Sequence, residues 1–423
     1  MATLRILPWR VLSTRRLFHY RSVSFYSAWG TRQYWKKYRR SLFTVSSLVA
    51  ALPTLFKGQG RQWVQQSQPV LSSTVPFETS RVMLPDDTNP MGNVHGGTIL
   101  KLIEQAGHIV ATRHCNQSRN DKDPPSSLSS SMTSVLARVE HMDFHNPIYV
   151  GEVAQVQALV TYTSPHSMEV TVDVWAENTL TGTRRHTNSA RLWYVAISSQ
   201  VGPYEGQFKP LPVPELTGLT DEELAAGHSR YQSQKASRAK PTNYKGISRQ
   251  ENDHYADVPC SVPHSRTTLT NIVLPSDCTS SGHLMGGALM KMMDTTAGIA
   301  SVRHCRTLAV TACLDAINFY SPIFNGDLVF VTGEVVFTSS KSLVIRVSVE
   351  AEGLRSGARR VTNDAYFTFV SLGKNGKAIP VPPLVLKTQD EVERYEEMKI
   401  LYEAKKAERL REREEKQKNS QEK

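Results

Sequence analysis

The chain is poor in cysteine: 423 residues carry five, an odd number with no CxxC pair, which argues against a disulfide framework and against metal binding through thiolates. It also lacks GxGxxG, the GxxxxGK(S/T) loop, HExxH, and a GxSxG in a strand-to-helix setting. Nothing therefore points to a nicotinamide, ATP or metal cofactor, or to a serine-hydrolase triad. The apolar run from Leu42 to Phe56 contains Ser46 and Ser47, is broken at Pro53, and is too short to span a bilayer. No stable membrane insertion is expected.

Acidic residues are missing from the whole opening, since the first is Glu78. Residues 1–77 hold nine Arg and three Lys, so of the net charge of +11 the opening contributes +12 and the remainder −1. A basic folded surface, and with it nucleic-acid binding, is excluded. An acid-free, Arg- and Ser-rich opening has the composition of a mitochondrial transit peptide. A second form lacking it would stay in the cytosol.

What is present is a repeat. Val82–Cys115 and Ile272–Cys305 align without gaps at an offset of 190, with 11 of 34 positions identical, among them Leu84, Pro85, Asp87, Gly92, Gly96, Gly97, Lys101 and Arg113 to Cys115. The match resumes at an offset of 175, where Asp143, Phe144, Pro147 and Gly151 answer Asn318, Phe319, Pro322 and Gly326. The first copy thus has about 15 extra residues near 116–134, a Pro- and Ser-rich stretch that reads as a surface loop. The exits match as well, Leu211-Pro-Val-Pro against Ile379-Pro-Val-Pro. Self-similarity at this scale is duplication of a structural unit.

Within each copy, Gly97–His114 places Ile99, Leu102, Ile103, Ala106, Ile109 and Val110 at helical spacing. β-rich runs follow: Val135–Val139, Val153–Tyr162, Met168–Trp175 and Ala190–Ile197 in the first copy, Val310–Ile317, Leu328–Phe337, Leu343–Val349 and Asp364–Val370 in the second. Connections such as Thr163–Ser167 are too short for parallel crossovers. The expected class is α+β, each unit a long helix against an antiparallel sheet. The expected division is a basic leader at 1–77, units at 78–198 and 255–373, a linker with a charged helix at 199–254 and a charged helical tail at 374–423.

A helix that opens on Gly-Gly offers backbone N–H groups to a ligand without Cβ obstruction, and its dipole favours negative charge there. Tight packing explains the same glycines equally well. The polar cluster ahead of them favours a site. In the first copy it comprises Asp86, Asp87, Asn89, Asn93 and His95; in the second only Asp277 and His283 remain, with Thr279 and Met285 where Asn89 and His95 would be. Thioester hydrolysis needs a carboxylate to activate water and a donor to polarise the carbonyl. A turn or capping role explains Asp87 and Asp277 as well. Cys278 has no histidine near it in sequence to act as its base.

The run DDTNPMGNVHGG, followed by a helix ending in RHC and repeated in order, resembles the double-hotdog acyl-CoA thioesterases. The resemblance covers roughly Glu78 to Leu410. It implies tandem hotdog units that hydrolyse fatty acyl-CoA to fatty acid and coenzyme A. Coenzyme A enters only as part of the substrate, and no separate cofactor is needed. It implies Asn89 and Asp277 as a catalytic pair meeting between the units: Asp277 as base or nucleophile, Asn89 orienting water or carbonyl, and Gly97 or its neighbour Gly96 as oxyanion donor. Asp87, Asn93 and His95 would support them. Arg113, Arg303 and Lys341 are candidates for the coenzyme A phosphates, although a cation at a helix C-terminus also has a simpler dipole reading. Family chains assemble as trimers. The family carries His-Gly-Gly in both copies, and Met285 departs from it, so one working site per chain is expected. Two other readings stand beside this one: an acyl-thioester hydratase using His95, and a non-catalytic acyl-CoA binding protein.

Overall fold

The computed structural model describes residues 76–89, 92–117, 131–198, 209–239, 247 and 257–421. The leader, the Leu42–Phe56 run and most of the 116–134 loop lie outside them. No helix among the described residues is long and apolar enough to cross a membrane.

The first copy contributes strands β1 (Phe77–Val82), β2 (Met132–Val139), β3 (Met142–Asp143), β4 (Val153–Thr163), β5 (Ser167–Glu177) and β6 (Arg184–Ser198), with helix α1 (Gly96–Cys115) between β1 and β2. After helix α2 (Asp221–Ala239) the second copy repeats the order as β7 (Thr267–Ile272), α3 (Gly286–Cys305), β8 (Leu308–Leu314), β9 (Ile317–Asn318), β10 (Asp327–Thr338), β11 (Ser342–Gly353) and β12 (Arg359–Leu372). Helix α4 (Gln389–Gln421) follows. The helix and strand runs read from periodicity lie inside these elements, whose ends extend further. Val310–Ile317 is the exception, broken into β8 and β9 at residues 315–316.

Each sheet is antiparallel and six-stranded, in the orders β1-β4-β5-β6-β2-β9 and β3-β8-β12-β11-β10-β7. The two copies exchange their shortest strands. β9 pairs with β2 (Arg138 opposite Asn318), and β3 pairs with β8 (Asp143 opposite Cys313). One edge of each sheet, at β2 and at β8, is thereby covered by a strand of the other copy, while β1 and β7 stand at the opposite edges.

Alternation explains why the strands bury one face. Along β4, Ala154, Val156, Ala158 and Val160 are buried and the residues between them are half-buried. Ile99, Leu100, Ile103, Ala106 and Val110 of α1 pack into the same core. The two long helices run antiparallel against each other through their glycines. A Cβ on Gly97 would stand 2.7 Å from the Lys291 Cα, and one on Gly287 2.8 Å from the Lys101 Cα. The second glycine of each pair is therefore needed for helix-on-helix approach.

The histidine of each RHC run holds its own unit together. His114 Nε2 lies 2.8 Å from the Pro214 carbonyl and His304 Nε2 2.9 Å from that of Pro382, which fastens each helix end to its Pro-Val-Pro exit. The charged helices dock by a shared device. Arg230 of α2 grips the fully buried Glu169 at 2.8 and 2.7 Å, and Arg394 of α4 reaches the buried Glu334 at 3.2 Å beside Arg266 at 3.0 Å. Met398, Tyr395 and Tyr402 of α4 pack with Phe337, so the tail is docked on its own sheet rather than solvated on all sides.

Candidate active site

The glycine-led start of α1 opens on a cavity of about 730 Å3 whose wall includes Asn89, Asn93, His95, Gly96, Phe144, Asn188, Arg303 and Thr311. Both copies line it. Asn89 sits in a tight turn, its N–H donating to the Asn93 carbonyl at 2.8 Å and its own carbonyl accepting from Gly92 at 2.9 Å. Gly92 has φ +81°, a left-handed conformation that glycine adopts without strain.

The carboxylate that reaches this helix start comes from the middle of α3. Asp294 Oδ2 accepts from the Gly97 N–H at 2.7 Å, and its Oδ1 accepts from the Thr311 hydroxyl at 2.7 Å. His95 Nδ1 lies 2.7 Å from the same Oδ2 and 3.2 Å from the Gly97 nitrogen. A protonated Nδ1 donates to Asp294 and gives up the Gly97 bond. Burial depresses the His95 imidazolium, but the adjacent Asp294 carboxylate outweighs burial and the nearby Lys291, leaving the pKa above its ordinary value. The Asp294 side chain has no exposed surface while that of His95 is 26% exposed, so His95 is the member of the pair open to the cavity. Gly97 is committed to Asp294. Gly96 lines the cavity, and its N–H, first in the helix, has no intrahelical acceptor; of the two glycines it is the candidate oxyanion donor.

Asp277 does not join Asn89. It lies on the turn before α3, is absent from the wall of Asn89's cavity, and points to Lys101 at 3.8 Å. The residue pairing with the first helix start is Asp294, two turns into α3. Asp87, the counterpart of Asp277, is buried and receives Arg81 at 2.8 Å and the Leu84 N–H at 3.0 Å. The backbone carbonyls of both aspartates accept from the residue ahead of the glycines, His95 at 2.8 Å and Met285 at 2.9 Å. Theirs is the turn role. Cys278 donates to the Leu274 carbonyl at 3.3 Å, and burial with the neighbouring Asp277 pushes its thiol up to about 11, which leaves it unreactive.

Of the three basic candidates only Arg303 lines the cavity, and it is partly committed, donating to the Arg266 carbonyl at 2.6 Å. Arg113 stacks over Phe77 at 4.8 Å and Lys341 sits exposed in its turn; neither is in the cavity wall.

The second helix start is a different environment. Its cavity, about 220 Å3, is lined by Thr279, His283, Met285, Gly286, Leu136 and Glu104. At the four positions equivalent to Asn89, His95, Thr311 and Asp294 stand Thr279, Met285, Leu136 and Glu104. Leu136 presses on Gly286, where a Cβ would meet its Cδ2 at 2.4 Å. Asp294 and Thr311 escaped the reading of the sequence. A signal was there: an acidic residue eight positions after the first glycine in both copies, on an otherwise apolar helix.

Comparison with known proteins places the chain in a family. The family model of the thioesterase superfamily matches residues 91–183 and 281–358, one segment per copy. The cytosolic acyl coenzyme A thioester hydrolase of Mus musculus is 45% identical over 335 residues, covering 78% of this chain and 83% of that protein. Its Homo sapiens counterpart is 44% identical over 337 residues with the same coverage. Among solved structures, an acyl-CoA hydrolase from Bacillus cereus is 32% identical over 36% of this chain and 94% of its own, with a TM-score of 0.34.

Proposed function

Because the chain belongs to the thioesterase superfamily, among its acyl-CoA thioester hydrolases, we propose that it cleaves acyl-CoA at the first helix start, using Asp294 with Asn89. The observation that carries the site is the buried Asp294 held by Gly97, Thr311 and His95, of which Thr311 and His95 line the same cavity as Asn89 and Gly96.

Water, oriented by the Asn89 amide, attacks the thioester carbonyl carbon. Its proton passes to the His95–Asp294 pair, and the carbonyl oxygen gains negative charge at the helix start, where the Gly96 N–H and the dipole stabilise it. Collapse breaks the carbon–sulfur bond. The pair returns the proton to the departing thiolate, and the products are a carboxylic acid and coenzyme A thiol. Asp294 is reached after His95 Nδ1 moves off Oδ2, a rearrangement a seated substrate drives, since catalytic hydrogen bonds commonly tighten only with substrate in place. The four parts are all drawn from this chain, and the reaction needs no cofactor.

Purified full chain releases free thiol from acyl-CoA under this reading. Binding of acyl-CoA without thiol release, or hydration of an enoyl-CoA in its place, overturns it. The acid limb of kcat/KM lies above the ordinary histidine range in the wild type, because the adjacent carboxylate favours the imidazolium. Asp294→Asn lowers the limb.

The hotdog pair within each chain assembles further, as a trimer of chains. The acid-free opening directs one form to the mitochondrion, and a form without it works in the cytosol, the compartment in the names of the mammalian relatives.

A further inference from the structure

The second helix start has lost the hydroxyl and the histidine that hold Asp294 but keeps the glycine amide, Gly287, and the carboxyl itself. Glu104 is 2% exposed and lines the smaller cavity, and its Oε2 has no hydrogen-bond partner among the described residues. A buried, unmatched carboxyl oxygen is costly, and its persistence calls for a partner. Val135, Leu136, Ala137, Leu289, Phe319 and Ile323 form an apolar stretch of the wall, and His108, Ser134, Thr279, His283, Ser321 and Asn363 are among its polar members. Arg238 and Tyr320, both exposed, also line the cavity.

We propose that this second cavity binds a small aliphatic carboxylic acid, whose carboxyl pairs with that of Glu104 through one shared proton while its chain lies against the apolar wall. A carboxyl is favoured over an amine because an ammonium would bury an ion pair away from water, where desolvation offsets the attraction. It is favoured over an alcohol because two carboxyl groups held together share a proton readily. At about 220 Å3 the cavity suits a short chain. Met285 in place of His95, Thr279 in place of Asn89 and Leu136 in place of Thr311 remove the counterparts of the side chains gathered at the first helix start, so the ligand is held and not turned over. The ligand class is that of the product of the proposed hydrolysis, and in that respect the inference rests on that reading.

The proton makes binding depend on pH. Burial pushes Glu104 up to about 7, the Gly287 N–H and Lys101 offsetting only part of the effect. The other groups around it are His108 on α1, Tyr194 on β6, His283 ahead of α3 and Arg238 on α2. Burial depresses both histidines and pushes the tyrosine well up, so none of these three titrates between pH 7 and 9.

The test titrates sodium octanoate into the full wild-type chain, Glu104→Gln and Glu104→Leu by calorimetry from pH 6 to pH 9. Wild type binds in a site whose affinity is steady below pH 7 and falls about tenfold per unit above it. Glu104→Gln keeps binding with no such fall, since its amide donates at any pH. Glu104→Leu loses the site. Wild-type stoichiometry and affinity in Glu104→Leu, or tighter binding of octylamine or octanol than of octanoate, overturns the proposal. Thiol release from acyl-CoA is measured in parallel and stays at the wild-type level in both variants. Its absence in wild type sinks the hydrolase reading and leaves the octanoate result to stand or fall by itself.

Discussion

The two helix starts descend from one sequence and share their backbone, yet only one carries the groups assigned to hydrolysis. Both have paired glycines, a turn held by an aspartate carbonyl, and an acidic residue projecting from the opposite helix. At the first, the buried Asp294 is gathered by an amide, a hydroxyl and a histidine, the last two lining a cavity of about 730 Å3. At the second, leucine and methionine stand where the hydroxyl and the histidine would be, and the cavity shrinks to about 220 Å3. Backbone geometry is preserved because the fold needs it: the glycines let two helices touch. Chemistry is preserved only where the side chains survive.

The sharpest way to break the comparison is to neutralise each carboxyl in turn. Asp294→Asn should lower kcat for thiol release by about 10³-fold or more, the scale of losing a positioned acid–base group together with its charge. Glu104→Gln should leave kcat unchanged.

The second carboxyl should instead show itself in stability. Its folded pKa, about 7, stands above the ordinary 4.5 of the unfolded chain. The stability it contributes is therefore complete below pH 4.5 and is lost as pH rises toward 7. Across that window the loss amounts to roughly 3 kcal/mol, at about 1.4 kcal/mol per unit. Chemical denaturation at pH 5 and pH 8 should show Glu104→Gln gaining on wild type by about that amount at the higher pH. An equal difference at both values removes the assignment.

Restoring what the second start lacks is a more demanding test. Glu104→Asp, Thr279→Asn, Met285→His and Leu136→Thr, combined in the Asp294→Asn background, should raise thiol release at least tenfold above that background. Failure would place the difference in the cavity's size rather than in its four side chains. The smallest effect is expected at Asp277. Asp277→Asn should change kcat less than about twofold, because its partner is a half-buried lysine 3.8 Å away. A loss on the scale of Asp294→Asn would return the base to Asp277.

Pattern and offset were enough to reveal the duplication, the helix beginning at the glycines, the antiparallel strands and the inequality between copies. These depend on local periodicity and on residues close together in the chain, and Asn89 and His95 are legible for the same reason. The carboxyl that meets His95 was not. Asp277 was the natural choice because it stands beside the glycines of the second copy, as Asn89 does in the first. The glycines, however, bring α1 and α3 together side by side and antiparallel, so the start of one helix faces the middle of the other. The distance that matters is the 197 residues from Gly97 to Asp294, closed to 2.7 Å. No spacing rule reports such a contact. By itself the sequence determined the units, their elements and which copy kept its polar side chains. Only the tertiary structure decided which carboxyl meets which amide, because that is set by how closely two helices can approach once neither carries a Cβ at the crossing.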